Sequence, residues 1–116
     1  MSKYTPDRWV MVKTNFNGAQ YYKILASWYG GYMGSDSWKL SSGTLCTQFD
    51  KKTNQYHFPQ VSKSEYVCYK NTYGTSGYTQ GVFLNWVKCL EERGSSGCLI
   101  ILPEDTDFLT LDYIND

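Results

Sequence analysis

The sequence predicts a small α+β domain, mainly an antiparallel sheet of about six to eight short strands with one helix from the C-terminal half packed on it. Three observations carry that expectation. Two runs of strand-forming residues flank Asn17-Gly18, the dipeptide that fits a two-residue hairpin turn. Val82, Phe83, Trp86, Val87 and Leu90 make one apolar stripe at helical spacing. The chain has 116 residues, the size of one ordinary core, so 1–116 reads as a single domain.

In chain order, residues 8–16 and 20–28 form the first hairpin. In its second strand Tyr22, Ile24, Ala26 and Trp28 share one face, the candidate core, and Tyr21, Lys23, Leu25 and Ser27 share the other. Glycines 30, 31 and 34 then break the strand pattern. A third strand is expected at 38–41. Residues 45–49 and 55–58 read as a second hairpin turned by 50–54, with Pro59 ending it. Residues 64–69 follow as a strand, by their β-branched and aromatic content. The helix comes next, with Thr79 or Ser76 as its N-cap and Gly94 at the position after its end. The run Cys98–Leu102, stopped by Pro103, has the pattern of a strand buried on both faces. Alternation over 108–113 predicts a last, outer strand. If the strands at 65–69 and 98–102 are parallel neighbours, the helix is their right-handed crossover.

Composition narrows the function classes. Aliphatic residues are few, with 20 aromatic side chains from 4 Trp, 11 Tyr and 5 Phe. The longest apolar run, Cys98–Leu102, falls far short of the roughly 20 residues of a membrane helix, and residues 1–8 lack the apolar stretch of a secretory signal. These features predict a cytoplasmic protein without a membrane partner, its four cysteines (Cys46, Cys68, Cys89, Cys98) reduced. The net charge of zero hides a split. Residues 1–90 hold 10 basic and 4 acidic side chains, a balance of +6, and residues 91–116 hold 1 and 7, a balance of −6.

No catalytic constellation stands out. His57 is the sole histidine and lies on a strand. A Cys46–His57 dyad would lack an orienting partner. The glycines do not follow a phosphate-binding pattern, and Glu104, Asp105 and Asp107 read as a solvated acidic turn. The expectation is therefore no catalytic residue, no metal and no cofactor. The most individual stretch runs from Ser27 to Gly43, where two Trp and two Tyr surround glycines and one carboxylate. Stiff rings on a glycine loop suit recognition, which makes Tyr29, Tyr32, Gly30, Gly31 and Asp36 the candidate partner-binding residues. Trp28 and Trp38 are expected to be mainly buried, holding the ends of the loop.

The pattern W-x-G-G-Y-x-x-x-D-S-W-x-x-x-S-G at 28–43, supported by Ser64-x-Tyr66-x-Cys68-Tyr69-Lys70-x-x-Tyr73-Gly74, resembles a family of small tailed-bacteriophage proteins. The two stretches cover about a quarter of the chain. In that family a His often follows the Cys. Tyr69 stands there in this chain, so no Cys–His metal site or dyad carries over. The resemblance implies a phage product made in an infected bacterium and assigns no activity. With catalytic groups missing and rings abundant, the sequence points to a non-enzymatic protein that binds a macromolecule, first of all a protein. The alternative is a single-stranded nucleic-acid binder using sheet rings beside Lys13, Lys23, Lys39 and Lys70. A small enzyme using Cys46, Cys68 or His57 ranks third.

Overall fold

The computed structural model describes residues 3–16, 19–29, 37–75, 77–92, 98–111 and 113. Among them run β1 (Lys3–Tyr4), β2 (Arg8–Phe16), β3 (Ala19–Trp28), β4 (Ser37–Leu40), β5 (Gln48–Asp50), β6 (Gln55–Pro59), β7 (Glu65–Tyr69), α1 (Gly77–Glu92) and β8 (Cys98–Ile101). The α+β class follows as expected. The strands divide into two four-stranded sheets, ordered β1-β7-β6-β5 and β4-β3-β2-β8. All pairs are antiparallel except β1–β7, which is parallel with Lys3 opposite Glu65.

The alternation of side chains along β2 explains why two sheets and a helix are needed. Both faces of this strand are apolar, Trp9 and Met11 on one and Val10 and Val12 on the other, all at most 2% exposed. The first face meets the β1-β7-β6-β5 sheet. Trp9, Met11, Tyr22, Ile24 and Ala26 pack with Tyr56, Phe58, Tyr66 and Cys68, and Phe108 and Tyr113 complete the cluster. The opposite face is covered by α1, where Phe83 joins Val10, Val12 and Leu25, flanked by half-buried Trp86 and Val87. The layers are thus sheet, sheet and helix, and β2–β3 is the wall common to both cores.

Trp9 is the centre of the first core. Its ring lies 4.7 Å from that of Tyr73, 5.4 Å from those of Phe58 and Phe108, and 5.9 Å from that of Tyr56. Its indole N–H donates to the Tyr69 carbonyl at 2.8 Å. Tyr73 ties the sheets again, since its hydroxyl donates to Leu102 O at 2.5 Å and accepts from Met11 N at 3.1 Å.

Several expectations need correction. Residues 108–113 form no strand among the described residues. Asp107 accepts from the Leu109 and Thr110 backbone amides, bending the chain, so that Phe108 and Tyr113, which a strand would put on opposite faces, both enter the core while Leu109 is left exposed. β8 is an edge strand rather than one buried on both faces, with Ile100 49% exposed. It lies in a different sheet from β7, so α1 is not a parallel crossover. The strand expected at 45–49 shrinks to Gln48–Asp50. Residues 17 and 18 of the first turn, Ser76 and Gly94 lie outside the described residues, while Thr79 is buried within α1.

Removing the central ring has a large expected effect. Trp9→Ala should cost about 3–5 kcal/mol, against a typical stability of about 5–15 kcal/mol. Denaturant melts should show a severely destabilised or unfolded chain. Trp86 is half-buried on the helix face, so Trp86→Ala should cost less, about 1–2 kcal/mol, because only part of its surface leaves water.

The buried phenols yield a second prediction. Burial pushes the Tyr66, Tyr73 and Tyr113 hydroxyls up from 10.0 to about 12. The folded state then keeps these protons to higher pH than the unfolded chain does. Stability from this source is whole below about pH 10 and is lost as pH climbs towards about 12. Phenolate absorbance from the buried rings should therefore rise together with loss of near-ultraviolet dichroism. A full phenolate rise with the fold intact would count against this packing.

Candidate functional site

The segment singled out in the sequence begins at the end of β3, where the structure anchors it from the N-terminal side. The Tyr29 amide donates to Asp7 Oδ2 at 2.8 Å, and Arg8 Nε donates to the Tyr29 hydroxyl at 3.3 Å. Asp7 is itself tied to β3, its amide donating to Ser27 O at 2.9 Å. Tyr29 is 52% exposed, and its ring is held at the hydroxyl end. Tyr32, Gly30, Gly31 and Asp36 lie outside the described residues.

The two tryptophans at the ends of the segment do not face each other. Trp28 pairs with Ser37 and Trp38 with Ser27, an offset of one residue that sends the rings to opposite faces of the sheet. Trp28 turns towards the inter-sheet core. Its indole N–H donates to Thr5 O at 3.0 Å, and its ring lies 6.3 Å from that of Tyr4. Trp38 turns towards the helix, edge-on to Trp86 at 5.1 Å and 71°. It is 37% exposed, so the expectation of a mainly buried Trp38 is overturned. A short edge strand cannot bring enough neighbours to cover an indole.

Strand register completes the arrangement. Arg8 and Trp38 both stand opposite Ser27, one on each side of it. Arg8, Ser27 and Trp38 therefore form a row across three strands, with Tyr29 bonded to Arg8 at one end and Trp86 touching Trp38 at the other. Gly74 abuts this row. It has φ +145°, and a Cβ there would stand 3.5 Å from an Arg8 guanidinium nitrogen. Arg8 and Trp86 were not legible as site residues, because only the long-range pairing of strands brings them beside Tyr29 and Trp38.

The other sequence candidates are dispersed. His57 Nδ1 lies 3.7 Å from Glu65 Oε1, and Glu65 Oε2 is 3.6 Å from Lys3 Nζ, a surface arrangement across β6, β7 and β1. Cys46 is exposed, whereas Cys68 is fully buried, and burial pushes its thiol well above the ordinary 9.0. The lysines do not form one stripe. Lys13 stands opposite Tyr22 and Lys23 opposite Val12, which puts them on opposite faces of the sheet. Lys39 donates to the Tyr4 hydroxyl at 3.0 Å and covers its ring, while Lys70 sits 5.7 Å from the Phe49 ring.

No known family matches the chain, and neither a curated protein nor a solved structure does.

The thiols give a direct check of this geometry. A thiol reagent should modify Cys46 at once in the folded protein, whereas Cys68 should react only on unfolding, since a buried neutral thiol is a poor nucleophile. Mass mapping of the modified residues over time reads the order. Early modification of Cys68 would contradict its place in the core.

Proposed function

We propose that the chain is a non-enzymatic accessory protein of the tailed-phage kind it resembles, working in the cytoplasm of an infected bacterium by binding a host or viral protein. The observation that carries the reading is the row of Arg8, Tyr29 and Trp38 with Trp86 at its edge. Arg, Tyr and Trp are the residues that most often dominate binding energy at protein interfaces. Here an arginine hydrogen bond holds the tyrosine, and edge-to-face packing steadies the tryptophan. Rings positioned in advance lose less conformational freedom on association. The nucleic-acid reading calls for lysines interleaved with exposed rings. The opposed placement of Lys13 and Lys23, and the engagement of Lys39 by Tyr4, weigh against it.

Affinity capture followed by titration of the purified partner tests this. Trp38→Ala and the double change Tyr29→Ala with Tyr32→Ala should leave the melting temperature within a few degrees of the parent. Each should weaken the partner by about tenfold or more, the effect of a single hot-spot residue. Unchanged affinity in both variants would remove this face from the function.

A further inference from the structure

A cleft of about 410 Å³ opens at the end of the inter-sheet core, lined by Trp9, Tyr56, Tyr73 and Phe108 below and by Asn54, Lys70, Asn71 and Glu104 above. It shares no lining residue with the Arg8–Tyr29–Trp38 row. We propose that this cleft binds a neutral heteroaromatic ring of nucleoside size, packed against the ring cluster and hydrogen-bonded through its edge by Asn54, Asn71 and Tyr56.

Ring geometry selects the class of ligand. The cluster is built largely of edge-to-face contacts, with Trp9 at 90° to Tyr73 and at 63° to Tyr56, and Tyr56 at 78° to Phe108. Another flat ring extends that pattern, its electron-rich face meeting the positive edges of the rings already present. A pyranose needs an open aromatic face to lie on. Trp9, Phe108 and Tyr56 are only 1%, 2% and 8% exposed, so none of them leaves an open face for it.

The rim selects polarity and charge. The Asn54 and Asn71 carboxamides and the Tyr56 hydroxyl make no side-chain hydrogen bond to another described residue, unlike Tyr73, whose hydroxyl is spent on Met11 and Leu102. Carboxamides present a donor and an acceptor together, matching the mixed edge of a base. Backbone geometry fixes where Asn54 stands on the rim. Asn54 occupies the left-handed region at φ 59°, and its carbonyl accepts from Lys70 N at 2.9 Å. Lys70 and Glu104 carry opposite charges on the same rim, which gives a free phosphate no net attraction. The volume falls within the range of about 300–1,000 Å³ usual for small-ligand sites.

The test is calorimetric titration of the folded protein with adenosine, cytidine, guanosine and uridine, with methyl glucoside and adenosine 5′-monophosphate alongside, while the Trp9 indole N–H resonance is followed by NMR. At least one nucleoside should saturate the protein and shift that resonance. Asn71→Ala and Tyr56→Phe, each shown to be folded by circular dichroism, should each weaken it about fivefold, the effect of one hydrogen bond. Trp38→Ala should leave it unchanged. The proposal is overturned if no nucleoside binds, if methyl glucoside binds in preference, or if neither cleft variant alters the affinity. Monophosphate binding more than tenfold tighter than the nucleoside would likewise overturn it, by revealing a phosphate site.

Discussion

The packing of Trp9 into the opposite sheet is the contact on which the other layers rest. Its ring meets four aromatic neighbours, its indole N–H is satisfied by the Tyr69 carbonyl, and its own carbonyl accepts from Gly74 N at 2.8 Å. One residue of β2 is thereby bound to the end of β7 and to the chain that follows it. A core poor in aliphatic side chains has few alternatives. Large rings bury more area per residue than Val or Leu, and their edge-to-face geometry adds direction to the packing.

This use of rings revises how the composition is understood. Trp9, Tyr22, Tyr56, Phe58, Tyr66, Phe83, Phe108 and Tyr113 are buried, and Tyr4, Trp28, Phe49, Tyr73 and Trp86 pack partly buried against them, so these rings of the apparent surplus serve the two cores. Tyr21, Tyr29, Trp38 and Tyr69 remain as large exposed rings among the described residues. The proposed binding face thus rests on where a few rings lie and what holds them, not on how many the chain contains. The hydroxyl of Tyr66 is buried with no hydrogen-bond partner, a sign that volume rather than polarity decides occupancy in this core.

Local pattern carried much of the architecture. The hairpin of β2 and β3, its buried face, and the helix with its apolar stripe were all legible, because each depends on residues close together in sequence. What local pattern could not convey was partnership between distant strands. No short-range feature says that β7 joins β6 and β1 while β8 joins β2, so the division into two sheets stayed hidden. Residues 108–113 misled for a related reason, since Leu109, Leu111 and Tyr113 alternate like a strand while the hydrogen bonds to Asp107 bend the chain there. From the sequence, Trp28 and Trp38 alike were expected to be mainly buried at the ends of the loop. A one-residue offset in register separated them, leaving Tyr29 as the only candidate of that loop on described ground.

The short link between β1 and β2 has a consequence for how the chain assembles. Only residues 5–7 separate these strands, yet they belong to different sheets. β1 finds its partner at β7, where Tyr4 stands opposite Tyr66. During synthesis at about 5–20 residues per second, that partner emerges roughly 3–12 s after β1 itself. Once β3 has followed, the hairpin of β2 and β3 closes in microseconds, so for the rest of that interval Trp9 is carried on a formed hairpin with its ring uncovered. Docking of the sheets waits on the ribosome, and a nascent chain stalled before β7 would present that aromatic face to whatever the cell has nearby.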